Sequence, residues 1–257
     1  MEFKEGVFDD IPFDEYRAID AHSSHDLMTI SKCPYTWKNR SELSETPALL
    51  EGRVQHTVFL EHHNFDKEFV IQPDINRRTK AGKEEYQKFI DEIGNMTAIT
   101  KDMYETCMDR REVLSDYIPK DDHRVELTLC YMYHGVPFKS RLDWYDGENA
   151  WDLKTCRDAS PQGFKRAINM FRYHMQAALY LYACRATGLR ADSFYFLAQE
   201  KQHPYPYAIY RMSDEAIEYA SAKNEQALQT LLRAKKENTF KPYNMEGPMT
   251  VDLNDLW

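Results

Sequence analysis

The sequence predicts one α/β domain in which helices surround a mixed sheet. Three observations predict it. Segments with helical spacing of apolar residues fill roughly the first half of the chain. A middle stretch is rich in Val, Leu, Tyr and Trp and carries two Gly-containing turns. A long helix, two strands and a last helix then follow. With 257 residues, 42% of them apolar, the chain can bury a substantial core.

Residues 1–22, "MEFKEGVFDDIPFDEYRAIDAH", are acidic and aromatic and are expected as an N-terminal arm before a single domain over 23–257. "SSHDLMTISKCPYTWKNR" reads as two short helices broken at Pro34. "TPALLEGRVQHTVFLEHH" has apolar residues at helical spacing with Pro47 near its start. "KEFVIQP" is a short strand, and residues 79–100 and 100–117 are two polar helices. Residues 123–155 predict a three-strand antiparallel meander with turns at His134-Gly135 and Asp146-Gly147. Residues 160–188 predict one long helix ending at Gly188. "ADSFYFLAQE" and "YPYAIYRMS" are strands, Ser213 caps the last helix, and the tail, 241–257, is irregular.

Bulk properties narrow the function. The net charge of −9 lacks the basic excess of a simple DNA binder, although a carboxylate-rich metal site contributes negative charge of its own. No apolar run approaches about 18 residues. The five scattered cysteines form no CxxC pair, which points to free thiols in a reducing cytoplasm. No GxxxxGK[ST] motor motif occurs.

The chemistry concentrates in "RLDWYDGENAWDLKT". Asp143 lies on the second meander strand and Asp152 on the third, within cross-strand reach. Two uncompensated carboxylates repel and lose solvation, and a divalent cation between them removes that cost. Oxygen donors suit Mg²⁺ or Mn²⁺. Lys154 shares a strand face with Asp152 and can orient a water or offset charge on a phosphate.

With these residues in place, the chain resembles the PD-(D/E)XK nuclease superfamily, with its restriction-endonuclease-like core. More narrowly it is similar to RecE-like (exonuclease VIII) and lambda-exonuclease-like enzymes. Asp143 resembles the motif acid and Asp152-Leu153-Lys154 the D-x-K. His56 in "EGRVQHTVFLE" is similar to the helix histidine of the metal shell, and Glu126 in "RVELTL" to a further acid. Gln176 and Tyr180 resemble the Q-x-x-x-Y box, whose expected role is contact with DNA. "TISKCPYTWKNR" resembles an N-terminal family element. Leu142, not proline, precedes Asp143, and no clustered cysteines suggest an iron–sulfur cluster.

The resemblance implies an exodeoxyribonuclease that degrades linear duplex DNA 5′→3′ in recombination. Asp143, Asp152, His56, the Leu153 carbonyl and Glu126 are the implied Mg²⁺ or Mn²⁺ ligands, with Lys154, Asp143 and Asp152 catalytic. It also implies a homo-oligomeric ring, a RecT-like single-strand annealing partner and the cytoplasm of a bacterial or phage-infected cell. A Cas4- or RecB-like nuclease for single strands or internal sites, and a catalytically silent DNA-binding scaffold, are the alternatives. Glu200 is a candidate outer residue. The cations Lys165, Arg166 and Arg172, and Arg77, Arg78, Lys80 and Lys83, are candidate phosphate contacts.

Overall fold

The computed structural model describes residues 2–41 and 46–243. The elements run Gly6–Phe8 (β1), Phe13–Ala18 (α1), Ser24–Ile30 (α2), Pro34–Lys38 (α3), Pro47–Leu60 (α4), Phe65–Glu68 (α5), Phe69–Ile71 (β2), Lys80–Ile93 (α6), Thr97–Ile99 (β3) and Lys101–Val113 (α7). Then come Arg124–Tyr133 (β4), Val136–Tyr145 (β5), Asn149–Cys156 (β6), Pro161–Phe171 (α8), Tyr173–Ala186 (α9), Ser193–Glu200 (β7), Tyr207–Arg211 (β8) and Asp214–Glu237 (α10). The irregular tail expected from the sequence lies, from residue 244 on, outside the described residues.

The mixed sheet follows the order β1-β4-β5-β6-β7-β8, antiparallel except for the parallel β6–β7 pair. His134 and Gly135 join β4 to β5 with φ of 47° and 79°, the left-handed pair that a two-residue hairpin turn of matching twist needs. Asp146 organises the β5–β6 turn by accepting from the amides of Glu148 and Asn149 and from Trp151 Nε1. The crossover from β6 to β7 is α8 and α9, the connection a parallel pair requires. Helix α9 is buried almost all round and joins β4, β5, α2 and α10 in the main core.

Four features differ from the expectation. The single long helix breaks at Arg172, whose φ of 58° closes α8 and opens α9 in a new direction. β3 interrupts the stretch expected as helix and pairs in parallel with β2. The β5–β6 ladder holds only Trp144–Trp151 and Tyr145–Ala150 before the strands part. The N-terminal stretch lies along the domain: β1 pairs with β4, and Lys139 donates to the carbonyls of Tyr16, Arg17 and Ile19. Among the described residues no helix is long and apolar enough to cross a membrane. The cysteines are free thiols.

Candidate metal centre

The site forms where the sheet is irregular. Glu126 and Asp143 stand opposite each other on β4 and β5, between the Val125–Trp144 and Leu127–Leu142 pairs, at a position the ladder skips. Two opposed carboxylates repel, and Glu126 takes a left-handed backbone with φ of 48°. That conformation is costly for a residue with a Cβ, of order 1–3 kcal/mol, and such residues concentrate at functional sites.

On its other side, Asp143 reaches into the gap between β5 and β6. Its Oδ2 accepts the Leu153 amide at 2.6 Å, replacing the ladder bond that the parting strands lose. The split occurs beside a stack of paired rings. Trp144 and Trp151 lie 5.2 Å apart, and Trp151 and Tyr195 lie 4.4 Å apart. These rings hold the register of β5, β6 and β7 one residue after Asp143 and one residue before Asp152.

Helix α4 delivers His56. Thr46 caps that helix by accepting from Leu49, and Pro47 occupies its first turn. His56 Nε2 lies 3.2 Å from the Leu153 carbonyl oxygen and 3.6 Å from Asp143 Oδ2, while Nδ1 lies 3.9 Å from Glu126 Oε1. The two carboxylate distances exceed a hydrogen bond. Ligand atoms of His56, Glu126 and Asp143 all lie within 4.8 Å of one another. Donors about 2.1–2.4 Å from one hard cation stand roughly 3–4.5 Å apart, so the set fits a divalent ion. The Leu153 carbonyl adds a neutral oxygen at the same place.

Asp152 is 1% exposed, and protein groups engage both of its oxygens. Gln176 Nε2 donates to Oδ1 at 2.8 Å, and the Lys154 ammonium lies 2.5 Å from Oδ2. Asp152 is thus paired with Lys154 beside the cluster of His56, Glu126 and Asp143. The Lys154 ammonium also sits over the Tyr173 ring, 4.8 Å from its centre.

Gln176 and Tyr180, expected to touch DNA, lie on the buried face of α9. The Gln176 carboxamide turns inward to Asp152, and Tyr180 packs edge-on against Phe194. Glu200 accepts the Ala159 amide at 3.0 Å and holds the loop before α8. Of the candidate phosphate contacts, Arg77 covers the Tyr86 ring, Lys80 faces Glu84, and Arg166 pairs with Asp158. Lys165, Arg78 and Lys83 are exposed.

Sequence reasoning missed Arg141. Its Nε donates to Glu126 Oε2 and its Nη1 to the Ile11 carbonyl, between the rings of Phe13 and Tyr16. It fixes one oxygen of Glu126 while Oε1 faces His56. Its place beside Glu126 follows from the β4–β5 register, since Arg141 pairs with Thr128, two residues along β4. The Ile11 carbonyl comes from far along the chain and leaves no sequence signal.

Charge in the cluster is finely balanced. Burial, and then the charge of Asp152, raise the Asp143 carboxyl to about 7. Burial alone would lower His56, but Asp143, Glu126 and Asp152 together raise it to about 9. Burial opposes ionisation of Glu126, yet His56 and Arg141 hold it below the ordinary range. Burial disfavours the Lys154 cation, and Asp152 and Asp143 reverse this, so Lys154 stays an ammonium. Asp143 and His56 bind protons more tightly folded than unfolded. Their contributions to stability are full below about 4 and 6.5, respectively, and fade as pH rises through about 7 and 9. Metal-free protein should therefore lose stability from these groups between pH 5 and 9. A cation replaces the protons, so the gain in thermal midpoint on adding Mn²⁺ in place of EDTA should be larger at pH 8.5 than at pH 6. A gain independent of pH would contradict this balance.

The crystal structure of a candidate exonuclease from Eubacterium rectale shares this fold, with a TM-score of 0.59 and 16% identity over 92% of each chain. A second solved structure, SSO0001, aligns with a TM-score of 0.32 and 13% identity over 74% of this chain and 87% of that one, a similarity too low to carry any argument. No curated protein matches the sequence. Residues 23–247 match a family described as a PDDEXK-like domain of unknown function, DUF3799. This stretch includes the whole acid–histidine–lysine cluster, and the chain belongs to that family of the PD-(D/E)XK superfamily.

Proposed function

We propose that this protein is a Mg²⁺-dependent DNA exonuclease of the RecE-like type, which hydrolyses linear duplex DNA from 5′ ends during recombination. One observation carries the reading. His56, Glu126 and Asp143 converge on one point, and the Lys154–Asp152 pair stands beside it. Asp143, Glu126, His56 and the Leu153 carbonyl would hold the cation, with Asp152 at its margin. When bound, such a cation supplies Lewis-acid chemistry that polarises a phosphoryl oxygen and lowers the pKa of water.

The chain's own residues do the rest. The Lys154 ammonium, pinned by Asp152 and the Tyr173 ring, offsets charge growing on the scissile phosphate and aligns the incoming water. Gln176 keeps Asp152 from rotating, and Arg141 does the same for Glu126. Processive digestion without a motor calls for enclosure of the duplex, and a ring of subunits provides it. A single-strand annealing protein would take up the exposed strand, in the cytoplasm of a bacterial or phage-infected cell.

The test is incubation with Mg²⁺ and end-labelled linear, nicked and closed circular DNA. Loss of linear duplex from 5′ ends alone supports the exonuclease. Cutting of closed circles would replace it with an endonuclease. No cleavage with Mg²⁺ or Mn²⁺ would leave a DNA-binding scaffold.

A further inference from the structure

The corner between α8 and α9 is built unlike an ordinary helix end. Met170 and Phe171 finish α8 with 64% and 50% of their surface exposed. Arg172 follows in a left-handed conformation that Gly or Asn usually supplies. Two large apolar side chains are thus displayed at a point of backbone strain, where polar residues would be cheaper.

Their surroundings indicate what they meet. The Phe171 ring stacks on Tyr173 with centres 5.4 Å apart and planes 25° apart. Tyr173 in turn carries the Lys154 ammonium 4.8 Å from its ring centre. The centre of the Phe171 ring is therefore at most about 10 Å from the Lys154 amine. One or two nucleotides of an extended strand span that distance. The exposed Lys165, and Arg166, which lies one helical turn before Met170 and also pairs with Asp158, bring positive charge to the same helix. An exposed aromatic ring stacked on the tyrosine that carries Lys154, next in sequence to an exposed thioether on a helix that bears cations, matches a nucleobase attached to its phosphate.

We propose that Phe171 and Met170 form a stacking platform for the base of a nucleotide adjoining the scissile phosphate. This inference rests on the nuclease reading above and adds to it the part of the substrate that is gripped.

The test uses the full chain and oligonucleotides carrying 2-aminopurine at successive positions from the end, bound with Ca²⁺ in place of Mg²⁺. Wild-type protein should quench the probe at one or two positions, Phe171→Ser should lose the quenching, and Phe171→Tyr should keep it. In Mg²⁺, Phe171→Ser should lower kcat/KM on ordinary DNA about tenfold. On an oligonucleotide abasic at the quenched position, wild type and variant should cut alike. Equal quenching by wild type and Phe171→Ser at every position would overturn the platform, as would equal rates on ordinary DNA. If the wild-type protein cuts no DNA with any metal, the nuclease reading fails on its own. The quenching comparison then decides the platform: a difference between wild type and Phe171→Ser keeps it, and no difference removes it.

Discussion

Asp143→Asn should lower Mg²⁺-dependent cleavage by about 10³-fold while leaving the metal-free protein at least as stable as wild type at pH 8. Both halves follow from one arrangement. The carboxylate lies opposite Glu126 on the neighbouring strand, and burial and the charge of Asp152 make it costly to ionise. Asparagine keeps an oxygen for the Leu153 amide and removes the repelling charge. What it loses is an anionic donor for the cation. A site that gives up stability for function gains stability when the function is removed. The measurements are initial cleavage rates with excess Mg²⁺ and the thermal midpoint in EDTA. A variant that cuts within threefold of wild type, or that melts well below it, would show that Asp143 is a structural acid. Lys154→Ala should also abolish cleavage, but with lower stability, because Asp152 would keep only Gln176 as a side-chain partner.

The second large effect lies behind the site. Arg110 on α7 is 2% exposed, and its guanidinium meets Glu51 at 2.6 Å and the Lys201 carbonyl at 2.7 Å. Glu51 belongs to α4, the helix that carries His56, so this ion pair ties that helix to the end of β7. Glu51→Ala strands a buried cation. The usual cost of breaking such a pair is about 3–5 kcal/mol. Glu51 is itself one-quarter exposed and water can reach Arg110 once it is gone, so about 3 kcal/mol is expected. For a chain of this length that corresponds to a fall in thermal midpoint of roughly 10 °C. The double variant Glu51→Leu with Arg110→Met should recover most of the loss, because no buried charge is left unpaired; the Lys201 ammonium, which also pairs with Glu51 at 3.3 Å, is 31% exposed and can turn to water. A fall of under about 2 °C for Glu51→Ala would mean that the pair does not anchor α4.

Much of the sheet and the heart of the site was legible in the sequence because both rest on local rules. β-branched and aromatic runs separated by His134-Gly135 and Asp146-Gly147 can form little other than a meander. Once β5 and β6 are adjacent, alternation places Asp143 near Asp152 and aligns Lys154 with Asp152. The missing parts depend on contacts between distant segments. Nothing in "FRYH" marks Arg172 as a helix break, since neither Gly nor Pro stands there, and tertiary packing of α9 decides it. The three-residue β3 is too short to show a period and exists only because β2 lies beside it. The inward turn of Gln176 follows from the angle between α8 and α9, which spacing alone does not give. Glu126 could be recognised as an acid on a strand, but not its left-handed backbone or the Arg141 bond that pins it.

If His56, Glu126 and Asp143 share one divalent cation, the ion should be visible between them. Anomalous diffraction from a crystal soaked in Mn²⁺ reads this out, because the signal locates the ion itself. A peak bounded by His56, Asp143, Glu126 and the Leu153 carbonyl is expected, and Asp143→Asn should greatly weaken it. A well-diffracting soaked crystal with no peak there, or with manganese bound only elsewhere on the protein, would contradict the shared cation.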